Sequence, residues 1–290
     1  MQSVAAMQIV LISGLSGSGK SVALKQLEDQ GYFCIDNLPA TLLLQAVQSL
    51  RDEGHRRIGI SVDIRGVHSL PALPAAVANL KAQGLDIRAL FLEAKADALQ
   101  MRFSETRRKH PLSVAHPELT VAECIVLEQD LLTGVADLAH RIDTSDLSAN
   151  ALRSWVKQLL GLDQARLTVI FQSFGFKHGL PLDADLVFDA RCIPNPYYDP
   201  KLRPLTGRDQ AVIDFLEAQP LGKKMYSDVC NYLVDWLPAF DSDNRSYLTV
   251  AIGCTGGQHR SIWLAEKLAV RFGNERQVLS RHRERRGESA

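Results

Sequence analysis

No stretch of this chain is apolar for long enough to enter a bilayer. The first apolar run, residues 9–12, is too short for a signal-peptide core or a membrane span, no later run is long enough either, and no basic residue precedes Lys20. There is no excess of charge: 33 Lys and Arg balance 33 Asp and Glu, so attraction to nucleic acid or to a membrane would have to come from a local patch. Cysteine is sparse. The five residues Cys34, Cys124, Cys192, Cys230 and Cys254 are odd in number and widely scattered, which excludes a disulfide framework and a paired-cysteine zinc site and points to reduced thiols in a cytoplasm. Internal repeats and low-complexity tracts are also missing.

What remains is the composition of a water-soluble globular protein, 46% hydrophobic and 23% charged, in a chain of 290 residues, long enough for two cores. Up to about residue 160, short apolar runs alternate with helical patterns. Strands are predicted at 8–13, 32–35, 58–64, 87–92 and 141–144, and helices at 20–29, 41–51, 70–82, 97–106, 119–132 and 148–160. That alternation predicts an α/β domain with a parallel sheet over 1–160. Residues 1–6 precede a second methionine, Met7, and read as a dispensable extension. A second, smaller α/β domain is expected over 161–290, with strands at 167–171 and 248–252, helices at 210–217, 226–237 and 261–272, and an irregular stretch at 194–207.

Gly14, Leu15, Ser16, Gly17, Ser18, Gly19, Lys20 and Ser21 fit the phosphate-loop pattern, between an apolar strand and a helix. The glycines allow the backbone to curl so that successive N–H groups face phosphate oxygens beside a helix N-terminus. Lys20 is placed to reach the β- and γ-phosphates, and the Ser21 hydroxyl to bind Mg²⁺, which makes these two the expected catalytic residues. A metal-orienting carboxylate is expected at the C-terminal end of a strand. Asp36 and Asp63 both qualify; each can also be read as a plain turn residue. Arg102, Arg107 and Arg108 read either as lid arginines for a transferring phosphoryl group or as a solvated basic helix face.

Residues 250–261 repeat the order strand, glycine loop, helix and predict a second oxyanion cradle. Thr255, Gly256, Gly257, His259, Arg260 and Ser261 are the candidate phosphate ligands, with Arg260 able to clamp a phosphate and His259 carrying a charge that varies near neutrality. The spacing of Cys254, Gly257, Arg260 and Ser261 also satisfies the loop of cysteine-dependent phosphatases, although Gly253 stands where these usually have histidine. At the end of the chain Arg281, Arg283, Arg285 and Arg286 read either as a tail that follows a phosphodiester backbone or as a solvated terminus.

Together these segments resemble the RapZ (YvcJ-like) family of bacterial nucleotide-binding proteins, also called RNase adapter proteins. Further residues that carry the likeness are Asp36-Asn37-Leu38-Pro39, Ser173 with Phe174-Gly175-Phe176-Lys177-His178-Gly179, Pro194-Asn195-Pro196, and Asp199-Pro200-Lys201-Leu202-Arg203. The resemblance implies a kinase-like P-loop domain with weak ATPase and GTPase activity. In it, Gly14 to Ser21 form the ATP loop and Asp63, Ile64, Arg65 and Gly66 the GTP segment, with Gly66 in place of the family's usual asparagine. It also implies a C-terminal domain that senses an amino-sugar phosphate, binds small RNA and presents it to an endoribonuclease. Lys177, His178, Tyr197, Lys201 and Arg203 are expected either near the sugar phosphate or, for 194–203, as a brace for a contact. The classes open at this point are a regulatory adapter, a small-molecule kinase and a phosphatase, and a homo-oligomer is open as well.

Overall fold

A computed structural model describes residues 7–161, 167–242 and 247–284. The chain divides into two compact units, Met1–Leu160 and Gly161–Ala290, each built around its own parallel sheet.

In the first unit the strands are β1 (Gln8–Gly14), β2 (Phe33–Ile35), β3 (Arg57–Ser61), β4 (Asp86–Glu93) and β5 (His140–Asp143). They are joined through α1 (Lys20–Asp29), α2 (Leu43–Asp52), α3 (Leu73–Ala82), α4 (Ala96–Thr106) and α5 (Val121–Ala136), and α6 (Ala149–Leu160) follows β5. The sheet order is β2-β3-β1-β4-β5, with Ile9 of β1 in register with Ile58 on one side and Ile87 on the other. A central parallel strand is covered on both faces, which is why β1 reads as an unbroken apolar run. Its Ile9 and Leu11 join Ile58 and Ile60 in a core closed by Leu43 and Val47 from α2, Leu73 and Val77 from α3, and Ile125 and Leu132 from α5. Each such side chain contributes roughly 1.5–3 kcal/mol by leaving water.

Two boundaries differ from the sequence pattern for identifiable reasons. The strand predicted over 58–64 stops at Ser61, because the Asp63 carboxylate accepts the Arg65 N–H at 2.9 Å and starts a 3-10 stretch, Ile64–Ala72. Helix α5 starts at Val121 because Thr120 and Glu123 form a reciprocal capping box.

In the second unit β6 (Thr168–Gly175), β7 (Leu186–Asp189), β8 (Tyr247–Cys254) and β9 (Gln277–His282) form a parallel sheet of order β7-β8-β6-β9. Helices α7 (Gln210–Ala218), α8 (Pro220–Ser242) and α9 (Arg260–Gly273) supply Val212, Leu233 and Leu268 to its core. Among the described residues no helix is long and apolar enough to cross a membrane.

Strand β9 corrects the reading of the C-terminal arginines as a solvated tail. Arg281 lies opposite Gln172 in the ladder, and its guanidinium donates to Asp183 at 2.9 Å and to Gln172 at 3.3 Å. Arg283 donates to the Gly179 carbonyl at 2.7 Å, and both arginines are buried. An arginine sealed into a sheet edge by a carboxylate is not a free cation for a phosphodiester backbone. Arg285 and Arg286 lie outside the described residues.

Candidate functional site

Because every strand of the first sheet runs the same way, the C-terminal ends of β1, β2, β3 and β5 collect on one edge, where such sheets bind ligands. A cleft of about 530 Å³ opens there, lined by residues 16–22, by Asp36 and Asn37, by Asp63 and Arg65, and by Thr144 with Ser148.

The loop leading out of β1 is fixed by glycine geometry. Gly14 has φ +141°, and a Cβ at this position would lie 2.0 Å from the Leu92 carbonyl oxygen, so no other residue fits without parting the loop from β4. Gly17 and Gly19 also have positive φ, and Gly19 is the N-cap of α1. Leu15 is buried in the core, while Ser21 is exposed on the first turn of α1 in the cleft. Lys20 folds back over the loop and donates from Nζ to the Gly14 carbonyl at 2.7 Å and the Leu15 carbonyl at 3.1 Å. Its burial pushes its pKa down, and the charge of Glu128 is the largest influence acting the other way, followed among the raising influences by Asp63 and Asp36.

Of the segment 63–66, Asp63 and Arg65 face the cleft, whereas Ile64 is buried and the Gly66 N–H donates to the Asp63 carbonyl at 3.1 Å. Asp36 and Asp63 thus share one cleft with Ser21. Among the described residues no group of three metal-binding side chains occurs, so an Mg²⁺ here would take the remainder of its ligands from phosphates and water. The hydroxyl of Ser21 and the two carboxylates fit that role.

Arg102 behaves differently from a lid arginine. It donates to the Gly17 carbonyl and the Thr144 hydroxyl, both at 3.1 Å, and to the Thr144 carbonyl at 2.5 Å, which ties the loop to the end of β5. Arg107 ends α4 in the left-handed region with φ 51°, and Arg108 lines the cleft.

In the second unit the loop between β8 and α9 also sits at the C-terminal edge of its sheet, beside the ends of β6, β7 and β9. Its sulphur is turned inward: Cys254 Sγ accepts the Gly257 N–H at 3.2 Å and lies 3.2 Å from Ser261 Oγ, with both side chains buried. Arg260 donates from Nη1 to the carbonyls of Arg191 at 3.1 Å and Ile193 at 2.9 Å, and from Nη2 to Thr255 Oγ1 at 3.3 Å, while its buried Nε has no partner. For His259, expected to carry a charge that varies near neutrality, burial pushes the pKa down, and Nε2 lies 3.2 Å from the Leu202 carbonyl. Thr255 stays exposed and Gly256 half-buried, with the Lys177 ammonium 3.9 Å from where a Cβ on Gly256 would lie.

The irregular stretch 194–207 braces this loop within its own unit. Gly207 donates to the Gln258 carbonyl at 3.0 Å, and Gln258 Nε2 donates to the carbonyls of Arg203 at 3.2 Å and Leu205 at 2.7 Å. Tyr197 is stacked under the Arg203 guanidinium, 4.4 Å from the ring centroid. Lys201 donates its backbone N–H to Asp199, and Lys177 and His178 form the turn after β6.

Sequence reasoning missed three residues. Glu128 is fully buried and reaches the first loop, and His110, also fully buried, reaches Glu128. The available signal was a carboxylate on the apolar stripe of α5, flanked by Cys124, Ile125, Leu132 and Val135. The third is Glu284, whose Oε1 accepts the Gly175 N–H at 2.8 Å while its carboxylate packs on Gly257. No local pattern marks it.

The comparisons with known proteins cover both units. Residues 7–164 match the family model of the RapZ-like N-terminal domain, and residues 167–286 that of the RapZ C-terminal domain. A nucleotide-binding protein of Chromobacterium violaceum is 59% identical over 278 residues, spanning 96% of this chain and 98% of the relative. A nucleotide-binding protein of Thiobacillus denitrificans is 57% identical over 278 residues, spanning 96% and 99%. Among solved structures, the tunicamycin resistance protein of Deinococcus radiodurans matches 54% of this chain and 97% of its own, at 19% identity and a TM-score of 0.41. Shikimate kinase from Bacteroides thetaiotaomicron matches 55% and 100%, at 14% identity and 0.38. With both halves matched by their domain models and relatives of nearly equal length above half identity, the chain belongs to the RapZ family.

Proposed function

We propose that this protein is a nucleotide-binding regulator whose first unit holds Mg·ATP or Mg·GTP and hydrolyses it slowly. The observation that carries this reading is the convergence of loop residues 16–19, Lys20, Ser21, Asp36 and Asp63 on one cleft. Lys20, which donates to the Gly14 and Leu15 carbonyls, would hold the nucleotide phosphates, and Ser21 would hold a Mg²⁺ that supplies charge neutralisation there. Hydrolysis is slow because binding groups dominate the cleft, with Arg102 committed to bracing the loop. The relatives' description as nucleotide-binding proteins agrees.

The second unit is proposed to bind the phosphate of an amino-sugar phosphate at Thr255, Gly256 and Gly257, next to the N-terminus of α9. The buried, unpartnered Nε of Arg260 supports an anion there. Arg260 and Ser261 shape the loop from beneath, and His259 holds its rim to Leu202. In the adapter role, presentation of small RNA to an endoribonuclease, Arg281 and Arg283 serve as structure, and direct contact with RNA falls to Arg285 and Arg286. Cysteine-dependent phosphatase chemistry is not favoured, since Gly253 stands where such phosphatases usually have histidine.

Calorimetric titration of the full chain with Mg·ATP and Mg·GTP tests the central claim. Lys20→Ala is expected to weaken binding by at least about tenfold, the worth of one charge-assisted phosphate contact. Equal affinity in the variant would refute the assignment.

A further inference from the structure

A carboxylate stands where the pattern of α5 calls for a hydrophobic side chain. Cys124, Ile125, Glu128, Leu132 and Val135 form the buried stripe of the helix, and Glu128 has no exposed surface at all. Burying an ionised group costs several kcal/mol unless donors satisfy it. Here three do. Oε2 accepts the backbone N–H of Ser16 at 2.8 Å, Oε1 accepts the Ser16 hydroxyl at 2.7 Å, and His110 Nε2 lies 3.1 Å from Oε2.

The state of His110 follows from its other nitrogen. Nδ1 accepts the Leu112 N–H at 3.2 Å, so the ring proton is on Nε2 and points at Glu128. The ring is fixed from the side by Phe103, with centroids 5.2 Å apart. His110 also ends the basic run Arg107, Arg108 and Lys109, of which Arg108 and Lys109 line the cleft. One buried chain of contacts therefore runs from the cleft wall through His110 and Glu128 to the third residue of the phosphate loop.

We infer that Glu128, oriented by His110, is a positioning residue for the phosphate loop, holding the Ser16 amide and hydroxyl so that the following amides are receptive before nucleotide arrives. Ser16 is the last residue before the turn of positive φ at Gly17, so an acceptor on its N–H fixes the plane from which the curl begins. The same carboxylate is the largest influence opposing the burial that pushes the Lys20 pKa down, while the side chain rests on the Gly14 and Leu15 carbonyls. Two unconnected demands of the loop, a fixed entry and a carboxylate that opposes the effect of burial on Lys20, are met by one side chain from outside the motif. The effect on nucleotide rests on the proposed function; the effect on the loop does not.

The full chain with Glu128→Ala, Glu128→Gln and His110→Phe tests this, read by amide hydrogen exchange without nucleotide and by Mg·ATP titration. Glu128→Ala is expected to speed exchange at Ser16 and the amides after it, with core amides of β1 unchanged, and to weaken Mg·ATP about tenfold or more. Glu128→Gln keeps an acceptor for the Ser16 N–H, and the Ser16 hydroxyl can turn to meet its amide. It is expected to restore slow exchange at Ser16, which a general loss of packing would not allow. His110→Phe retains the ring against Phe103 and removes only the donor, so about a threefold loss is expected. That variant carries the test if Glu128→Ala does not fold. Wild-type exchange at Ser16 in both Glu128→Ala and His110→Phe, or in His110→Phe alone where the alanine variant is unfolded, overturns the inference. If the wild-type protein binds no nucleotide, the proposed function fails, and the exchange data still decide the role of Glu128.

Discussion

The two glycine loops begin alike and are held in different ways. Each follows a buried parallel strand and opens a helix, Lys20–Asp29 in one case and Arg260–Gly273 in the other. The first is anchored from outside: Glu128 takes the Ser16 amide, Arg102 takes the Gly17 carbonyl, and the Thr144 hydroxyl sits 2.9 Å from the Ser18 carbonyl. Its own cation, Lys20, donates to two carbonyls of the loop, those of Gly14 and Leu15. The second adds braces of its own, Cys254 under Gly257 and Arg260 laid along the carbonyls of Arg191 and Ile193, to the outer support from Gly207 and Glu284. A loop whose braces come from elsewhere can release its charged group without losing shape. A loop braced by its own arginine cannot release that side chain without losing some of its bracing.

The largest break in that comparison should come at Gly14, the last residue of β1. Gly14→Ala places a methyl group 2.0 Å from the Leu92 carbonyl oxygen at φ +141°. We expect a loss of more than about 3 kcal/mol in thermal unfolding and no measurable nucleotide binding. Gly256→Ala is the matched control in the second loop, since its methyl group would meet nothing nearer than the Lys177 side chain at 3.9 Å. A change within about 0.5 kcal/mol is expected, and a large one would mean that the second loop is as tightly held as the first.

A smaller break separates the two halves of the second loop's bracing. Gly257 has φ +74°, and a Cβ there would fall 2.4 Å from Glu284 Oε2 and 2.9 Å from the Gly175 nitrogen. Gly257→Ala is expected to cost about 1–3 kcal/mol in chemical unfolding of the second unit. Adding Glu284→Ala removes the nearer obstacle and the buried, unpartnered Oε2. The double variant should regain part of the loss and not all of it, because the Gly175 backbone remains. Full recovery would place the whole constraint in Glu284.

How far these features could be read from sequence depends on whether their cause is local. The strand at β1 and the helix at α1 were legible because a doubly covered strand is apolar throughout and the glycines announce the turn. Strands β7 and β9 were not. Gln277–His282 carries polar residues at positions whose partners, Asp183 for Arg281 and Glu266 for His282, lie far away in the chain, so burial is invisible in its composition. The same reason hid Glu128, whose ligand Ser16 is more than a hundred positions earlier. Asp63 was legible as a strand-end carboxylate, yet its capping of Arg65, which shortens β3, needed the backbone.

The weakest expected effect concerns the edge formed by β9. Glu266 accepts from His282 at 2.6 Å and from Arg208 Nε at 2.9 Å, and the His282 hydrogen bond is the main cause that lowers its pKa from 4.5 to about 2. A carboxyl with a lower pKa in the folded than in the unfolded state adds stability above the unfolded value, and loses it as pH falls from about 4.5 toward 2. The Glu266 side chain is 30% exposed, so solvent screening reduces the contribution to about 1 kcal/mol. Glu266→Gln should therefore be less stable than the wild type by a constant margin near neutrality, and the margin should close across that acid window. A margin that stays constant down to the lowest pH at which the unit folds would show that the Glu266 to His282 contact acts through shape alone, and that β9 is held to the sheet by its ladder and by Arg281 rather than by this charge.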